Sequence, residues 1–377
     1  MLSEVSIEGY RSLRRIIFPI GRLTVFAGAN GAGKTNLYRA LQLIQAAAAG
    51  TLSRELAAEG GMDSAFWAGK RDPKKPVRMT LGAGFARPGE DRPEYQYEIA
   101  VGLATPNEAA FELEPRIKEE RLEYRHGKRS YTLLERRGAA TSILTDEGER
   151  IESGAEIMAS ETALGSIEEP RQFPDLHMIR RKMLDWRFYH ELRTDQASAL
   201  RHPCLAVTSP TLASDGSNLA AVFTTLAHIR GDTTDLRLVI ADAFPGARLV
   251  IPPPGRTASF GMIFPEYPKR VFEASELSDG TLRFLALAGA LLAYRLPGLV
   301  ALNEPETSLH PDLLEPLARM IAQASERTQI WLVTHSERLA AALAKHGGVA
   351  PRTVVKRNGE TWIEGLTIGG RFRDEDD

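Results

Sequence analysis

The hydrophobic pattern near the N-terminus changes from a short apolar run to helical periodicity across a glycine-rich turn. The run Leu23 to Ala27 lies between Gly21 and Gly28 and has strong strand character. The segment Lys34 to Ala49 is rich in helix formers and stops before Gly50, which suits a C-terminal cap. These patterns predict a strand, a glycine loop and a helix in succession.

Alternating apolar and polar positions dominate the region from Arg78 to Arg137. Glycine, proline and charged turns separate the strand-like runs, so we expect an antiparallel sheet inserted after the first helix. The acidic stretch Thr141 to Pro174 has weak periodicity and predicts a loop or a helical excursion, with mixed helix and loop to about Arg230.

An α/β pattern returns in the last third of the chain. Thr281 to Tyr294 predicts a mostly buried helix, whereas Leu299 to Leu302 and Ile330 to Val333 predict short strands of the parallel-sheet type. We expect a helix from about Pro311 to Ala324 to join these strands, and the charged segment Arg371 to Asp377 to be frayed.

Composition narrows the class of protein. The chain has 377 residues, of which 43% are hydrophobic and 25% charged, and these values indicate a globular protein longer than one simple domain needs. The 47 Lys and Arg residues against 49 Asp and Glu leave no broad basic surface for nucleic acid. A single cysteine, Cys204, excludes an internal disulfide and fits a reducing compartment, so we expect a cytoplasmic protein without a signal peptide or membrane span.

The glycine loop carries the most specific chemistry in the sequence. Residues 28 to 35 read GANGAGKT and match G-x-x-x-x-G-K-[ST] between a predicted strand and a predicted helix. Loop amides and the helix N-terminus would face phosphate, Lys34 would reach the β- and γ-phosphates, and Thr35 would give a hydroxyl to Mg²⁺. A glycine turn that only caps a helix is the alternative, which the complete motif disfavours. The predicted phosphate-binding residues are Gly28, Asn30, Gly31, Ala32, Gly33, Lys34 and Thr35.

Three further motifs lie near the other end of the chain. LSDGTLRF, residues 277 to 284, is a turn opening a helix, in which Ser278 would cap the helix and Gly280 would leave room for a phosphate. LVALNEPETSLHP begins at Leu299, and QIWLVTHS ends a second apolar strand close to His335.

The order of GANGAGKT, LSDGT, LNEPE, LHP and THS resembles the ABC-type ATPase heads of the RecF, structural-maintenance-of-chromosomes (SMC) and OLD group, most closely the stand-alone AAA-family ATPases described as RecF-like. IEGYRSLRR at the start and LASDGSNLAAVF in the middle are also similar to that group. The resemblance implies an α/β P-loop NTPase fold of the ABC-ATPase head type, with a mixed sheet, an antiparallel β lobe and a helical insertion. It implies a split ATPase core at 1–50 and 231–370, a β lobe at 75–140, an insertion at 141–230 and a charged tail at 371–377.

The resemblance also implies residue roles. Glu304 would be the general base that orients the attacking water, His335 would contact the γ-phosphate, and Thr35 and Asn303 would serve the metal. The alternatives are a solvated strand-end carboxylate for Glu304 and a capping or packed histidine for His335. The family usually has an acidic residue at position 303, so the amide of Asn303 predicts weaker Mg²⁺ binding.

Two functions follow as hypotheses. The first is an ATP- and Mg²⁺-dependent ATPase head that forms a homodimer around ATP and acts in DNA maintenance or phage defence with a separately encoded partner. The second is a nucleotide-gated switch or scaffold that hydrolyses ATP slowly and regulates an effector. A transporter subunit and a small-molecule kinase are disfavoured by the long insertion and by the LSDGT turn, respectively. With about forty residues after THS, we expect no nuclease domain.

Because the chain has no broad basic surface, a contact with DNA would have to use local clusters of basic residues. Basic residues cluster in 116–137 and 180–201, and the second cluster contains Trp186, Phe188 and Tyr189. These residues are typical of a phosphate-backbone contact with base stacking. A solvated strand face with ordinary core aromatics explains them equally well.

Overall fold

The computed structural model describes residues 1–70, 77–90, 92–103, 111–152, 157–190 and 192–373. Contacts divide the chain into two compact units. The first unit contains residues 1–21, 28–185 and 353–377, and the second contains residues 22–27 and 186–352. Each unit is therefore built from segments that are distant in sequence.

Strands are named in chain order. They are β1 Leu2–Tyr10, β2 Leu13–Pro19, β3 Leu23–Ala27, β4 Arg78–Phe85, β5 Tyr95–Gly102, β6 Arg116–His126, β7 Arg129–Arg137, β8 Ala140–Leu144, β9 Arg150–Glu152, β10 Arg187–Tyr189, β11 Cys204–Leu205, β12 Arg248–Val250, β13 Thr257–Ala258, β14 Gly261–Ile263, β15 Phe272–Glu273, β16 Leu299–Asn303, β17 Gln329–Thr334, β18 Arg352–Arg357 and β19 Glu360–Ile363.

Helices are numbered in the same way. They are α1 Lys34–Ala49, α2 Leu52–Ala58, α3 Met62–Ala65, α4 Ala163–Ser166, α5 Pro174–Leu184, α6 Leu219–Thr225, α7 Thr234–Ala243, α8 Asp279–Leu292, α9 Leu314–Ser325 and α10 Glu337–Gly347. A π-helical turn, Leu226–Arg230, extends α6, and short 3₁₀ turns lie at Ala199–Arg201, Ala274–Glu276 and Pro311–Leu313.

The first unit is organised around an eight-stranded sheet in the order β2-β1-β4-β5-β6-β7-β8-β9. Every neighbouring pair in this sheet is antiparallel. Helix α1 buries Leu37, Leu41 and Ile44, so the apolar stripe of the predicted helix faces a core. The antiparallel hairpin of β18 and β19 belongs to the same unit.

The second unit has a parallel sheet in the order β10-β16-β17-β3. All residues of β16 and β17 are buried, because strands covered on both faces are selected for continuous apolar runs. In register, Asn303 lies opposite Val333, and Tyr189 lies opposite Leu302. Parallel strands end at the same edge of a sheet, so residues that follow β10, β16 and β17 meet there.

Most element predictions for the ends of the chain are confirmed. The strand Leu23–Ala27 and the helix Lys34–Ala49 have the predicted bounds. The predicted buried helix begins two residues earlier, at Asp279, because Ser278 caps it. The two apolar strands each extend by one or two residues.

The structure extends one expectation for the middle of the chain and corrects two others, one there and one at the C-terminus. The antiparallel strands expected after the first helix are present, and their sheet also includes the N-terminal strands, since β4 pairs with β1. The stretch Thr141 to Pro174 is not a plain loop, because β8 and β9 continue the sheet and α4 follows, although residues 153–156 lie outside the described part. At the C-terminus Phe372 is buried and bridges Leu366, so the expected fraying is wrong for Arg371–Arg373, and 374–377 are outside the described residues.

Candidate nucleotide-binding site

The phosphate loop, residues 28–35, lies in the first unit and leads directly into α1. Gly31 and Gly33 have φ values of 79° and 96°, in the region that favours glycine. The N-cap of α1 is Gly33, which has no side chain to accept a hydrogen bond from the first helical amides. These amides and the helix dipole therefore remain suited to an anion.

The lysine of the loop is held in place by its own loop. Lys34 is buried, and its Nζ donates to the carbonyl oxygens of Gly28 at 2.7 Å and Ala29 at 2.9 Å. Asn30 and Thr35 are exposed, whereas Ala32 is buried. The loop therefore exposes Asn30 and Thr35 to solvent, whereas the Lys34 side chain is buried behind it.

The second half of the predicted site lies in the second unit, where β16 and β17 end. We call Asn303, Glu304, Glu306 and His335, together with His190 after β10, the strand-end cluster. Glu304 has a φ of 47°, a left-handed conformation that costs a non-glycine residue about 1–3 kcal/mol. Its amide donates to Val333 at 2.8 Å, and its backbone carbonyl accepts from Arg283 at 3.2 Å. The fold therefore holds a strained backbone at the predicted general base.

A carboxylate two residues further on fixes the loop that carries His335. Glu306 Oε1 accepts hydrogen bonds from Thr334 Oγ1 at 2.5 Å, from the His335 amide at 3.0 Å and from the Ser336 amide at 3.2 Å. His335 Nδ1 lies 3.3 Å from Glu306 Oε1 and 3.6 Å from Glu304 Oε1. The imidazole therefore lies next to both carboxylates, and Ser336 rather than His335 caps α10.

Asn303 and His190 meet at the ends of adjacent strands. Asn303 Nδ2 lies 2.9 Å from His190 Nδ1. The amide oxygen of Asn303 is buried and has no hydrogen-bond partner among the described residues. A buried acceptor without a partner costs free energy, so this oxygen fits a ligand such as metal-bound water. Among the described residues no group of three or more His, Cys, Asp and Glu side chains is arranged to hold a metal by itself.

Arg283 of α8 forms hydrogen bonds with the backbone next to the strand-end cluster. Its guanidinium reaches the carbonyl oxygens of Leu192 at 3.3 Å and Glu304 at 3.2 Å. Burial lowers the pKa of Arg283, and the charges of Glu306 and Glu304 oppose that shift. The arginine therefore places positive charge beside two carboxylates and holds the backbone at Glu304.

The LSDGT turn is rigidly connected to its own unit. Ser278 caps α8 by accepting from the Thr281 amide at 3.2 Å, as predicted. A Cβ atom on Gly280 would lie 2.9 Å from the Ser308 carbonyl oxygen, so close packing of the backbone accounts for this glycine. Arg201 is buried and donates to Leu277 O at 2.8 Å and Asp279 Oδ1 at 2.6 Å.

Several of these residues were missed by sequence reasoning. In the sequence Arg201 is only one member of a basic cluster, and Glu306 lies inside the LNEPE motif, where no role is predicted for it. His190 follows a strand of only three residues, which is too short for a periodicity signal. The side chains of Arg283 and Arg201 act through backbone carbonyls, and no spacing rule identifies such contacts.

The basic and aromatic clusters are partly used inside the protein. Trp186, Phe188 and Tyr189 are buried beside the parallel sheet, so they are core aromatics. Arg136 is buried and donates to the carbonyl oxygens of residues 138, 158 and 161. With Arg201 also buried, fewer basic side chains remain for a phosphate backbone than the sequence count indicates.

Comparison with known proteins decides the family. The family model described as "AAA domain, putative AbiEii toxin, Type IV TA system" matches residues 23–341. The chain belongs to this family. No curated protein matches its sequence.

The fold of this chain is similar to that of solved SMC head domains. The crystal structure of an SMC head bound to the C-winged helix domain of ScpA is 15% identical, with a TM-score of 0.53 over 100% of this chain and 99% of that chain. An SMC head with an extended coiled coil, bound to the C-terminal domain of ScpA derived from Pyrococcus furiosus, is 15% identical, with a TM-score of 0.50 over 98% of this chain and 96% of that one.

These findings confirm the resemblance and the fold class. The family is a P-loop AAA family, and the fold is an α/β ABC-type head with mixed sheets and helices. Within the described residues, no helix combines the length and the apolar character needed to cross a membrane. The division into a split core, a β lobe and an insertion stays a prediction, as do the roles of the site residues.

Proposed function

We propose that this protein binds ATP at the phosphate loop, hydrolyses it with Mg²⁺, and forms a homodimer around the nucleotide. The observation that carries the proposal is the strand-end cluster. Two neighbouring parallel strands bring Glu304 and His335 to within 3.6 Å of each other, on a backbone that is strained at Glu304. Strain of this kind persists where the surrounding fold enforces it, and it concentrates at catalytic positions.

The residues support distinct steps. The phosphate-loop amides and Lys34 bind and neutralise the phosphates, and the Thr35 hydroxyl with the Asn303 amide oxygen would hold the metal and its water. Magnesium supplies neutralisation of the developing phosphate charge. Glu304 orients the attacking water and accepts its proton, while His335 donates a hydrogen bond to the γ-phosphate.

The proposed dimer uses the LSDGT turn. Ser278 and Gly280 lie where the N-terminal dipole of α8 favours an anion, and Arg201 holds the turn through Leu277 O and Asp279 Oδ1. ATP held by one protomer would bind this turn of its partner, so that hydrolysis opens the dimer. The nucleotide thereby becomes the control on association.

A partner protein and a role in DNA maintenance or phage defence complete the proposal. Support comes from the toxin-antitoxin wording of the family description and from the SMC heads that were solved with a bound protein domain. DNA binding would depend on the basic residues that remain exposed, for example Arg121 and Arg129, since Arg136 and Arg201 are buried.

A second candidate function is a nucleotide-gated switch that hydrolyses ATP slowly and regulates an effector. Asn303 favours it, because an amide brings no negative charge to the metal where a carboxylate is usual. Both candidates require ATP binding, and they differ in turnover.

The test measures phosphate release and ATP affinity for the purified chain with Mg²⁺. Lys34→Ala should weaken ATP binding by about 100-fold, since it removes charge-assisted hydrogen bonds to phosphate. Lys345→Ala, which removes an exposed lysine that pairs with Glu315, is the matched control and should bind normally. Turnover equal to that of Glu304→Gln would favour the switch, and ATP affinity unaffected by Lys34→Ala would refute both candidates.

DNA is tested in the same assay. Single- and double-stranded DNA are added across a salt series, and a genuine phosphate-backbone contact must weaken as salt rises. Stimulation that is independent of salt would contradict a direct backbone contact.

A further inference from the structure

A chain of polar side chains from three distant segments ends on the phosphate loop. Asn36 Nδ2 lies 2.7 Å from Ser12 Oγ, and Ser12 Oγ lies 2.6 Å from Thr361 Oγ1. Thr361 Oγ1 lies 2.8 Å from the carbonyl oxygen of Ala32. The segments are the turn between β1 and β2, the first turn of α1, and strand β19, and all belong to the first unit.

Counting protons fixes the direction of this chain. A carbonyl oxygen only accepts, so the single hydroxyl proton of Thr361 is used on Ala32. Thr361 must then accept from Ser12, whose only hydroxyl proton is used in that bond, and Ser12 must accept from the amide of Asn36. The result is a relay with one polarity, from Asn36 through Ser12 and Thr361 to Ala32.

The end of the relay at the loop is shielded from water that could replace it, whereas Ser12 and Asn36 are half-buried. Thr361 is 2% exposed and Ala32 is 7% exposed. The backbone fixes the relay further, because the Thr361 amide donates to Ser12 O at 2.8 Å. A buried carbonyl without a partner is costly, so the loop conformation depends on the Thr361 hydroxyl.

The same hairpin explains two glycines of the loop. A Cβ atom on Gly33 would lie 1.8 Å from Thr361 Oγ1, and one on Gly28 would lie 2.4 Å from the carbonyl oxygen of Val354. Strands β18 and β19 therefore both pack directly against the phosphate loop. Gly33 is required by the relay hydroxyl as well as by its positive φ.

We propose that Ser12 and Thr361 are positioning residues for nucleotide binding, which hold the phosphate loop open in its binding geometry through Ala32. This inference rests on the proposed function, because it requires that the loop binds ATP. It adds the hairpin β18–β19, more than 300 positions from the loop in sequence, to the nucleotide site. Each residue acts through the loop backbone.

The experiment measures ATP affinity by calorimetry in the Glu304→Gln background, where turnover does not deplete the ligand. Thr361→Val keeps the shape but removes the hydroxyl, and should weaken ATP binding about tenfold. Thr361→Ser restores the hydroxyl and should bind within about twofold of the parent. Thr353→Val, an exposed threonine on the same hairpin, is the matched control and should bind as the parent does.

A double-mutant cycle tests the relay itself. Ser12→Ala should weaken binding about threefold, and adding it to Thr361→Val should cost little more, because the relay is already broken. Multiplied losses would mean that the two hydroxyls act independently. If Thr361→Val does not fold, Ser12→Ala and Thr361→Ser still test the inference.

The outcomes separate this inference from the proposed function. A parent protein that does not bind ATP, or binds it no better than Lys34→Ala, overturns the proposed function and the inference with it. A parent that binds ATP, with Thr361→Val and Ser12→Ala binding equally well, overturns the inference alone. A lower melting temperature with unchanged affinity would assign the relay to folding stability only, and would likewise overturn it.

Discussion

The phosphate loop and the strand-end cluster differ in how their polar groups are satisfied. In the loop, Lys34 donates to two carbonyl oxygens and Ala32 accepts from Thr361. In the cluster, Glu304 has a strained φ of 47°, and the oxygens Asn303 Oδ1 and Glu306 Oε2 are buried with no hydrogen-bond partner among the described residues. The loop has Lys34 and its carbonyl groups paired before a ligand binds. The cluster keeps a strained backbone and unpaired buried oxygens, which store unfavourable free energy.

This difference matches a division between binding and chemistry. A binding loop gains affinity when its conformation is fixed before the ligand arrives, because little ordering entropy is then lost. A catalytic cluster gains when its groups are better satisfied in the transition state than in the free protein. We therefore expect substitutions in the loop to change ATP affinity, and substitutions in the cluster to change turnover.

The largest effect should come from Glu304→Gln. The amide cannot accept the proton of the attacking water, so we expect turnover to fall by about 10²- to 10⁴-fold while ATP affinity changes little. Because hydrolysis stops, the variant should accumulate as an ATP-bound dimer, which native mass measurement would detect. The matched control is Glu337→Gln, an exposed carboxylate in the first turn of α10.

A loss of ATP affinity in Glu304→Gln as large as the loss of turnover would break the division between the two regions. A dimer that is absent at saturating ATP would argue against the dimer mechanism, even if turnover falls.

The next effect separates residues that act within one protomer from those that act on its partner. Ser278→Arg should reduce turnover by at least about 100-fold and spare ATP binding, because in the proposed dimer the side chain would block the turn that binds the partner's phosphates. Ser278→Asp keeps the helix cap and should also reduce turnover through charge repulsion, which excludes loss of the cap as the cause. ATP affinity and turnover are measured for both variants.

Mixing Ser278→Arg with Lys34→Ala tests the trans arrangement directly. Each variant alone should be inactive, but a heterodimer has one intact site, so an equal mixture should regain about a quarter of wild-type turnover. No recovery in the mixture, or loss of ATP binding in Ser278→Arg alone, would place Ser278 in its own protomer's pocket or in the fold.

The same contrast explains how much could be predicted from the sequence. The strand Leu23–Ala27, the loop and the helix Lys34–Ala49 are contiguous, and local propensity, glycine positions and periodicity all agree there. The short apolar strands β16 and β17 were predictable because burial on both faces selects continuous apolar runs. Their shared edge predicts that Glu304 and His335 meet.

The remaining contacts are invisible to local patterns. Thr361 and Ser12 are an ordinary strand threonine and a turn serine until the register of the hairpin places them on the loop. The sheet continues through β8 and β9 although the sequence there is polar, because pairing with β7 overrides weak propensity. From the sequence Arg201 is an ordinary surface charge. In the structure it is buried and donates to four acceptors, three backbone carbonyl oxygens and the carboxylate of Asp279.

The smallest effect should be that of substitutions at Asn303 on the Mg²⁺ requirement, and it tests whether the unpaired oxygen of the strand-end cluster serves the metal. Asn303→Asp adds a negative charge where the unpartnered amide oxygen lies, so the Mg²⁺ concentration for half-maximal ATP hydrolysis should fall about fivefold. Asn303→Ala removes the oxygen and should raise that concentration. Thermal unfolding with and without Mg²⁺ controls for the cost of burying a carboxylate beside His190. If neither substitution moves the magnesium titration, the buried oxygen of Asn303 does not serve the metal, and the slow-switch alternative loses the feature that favours it.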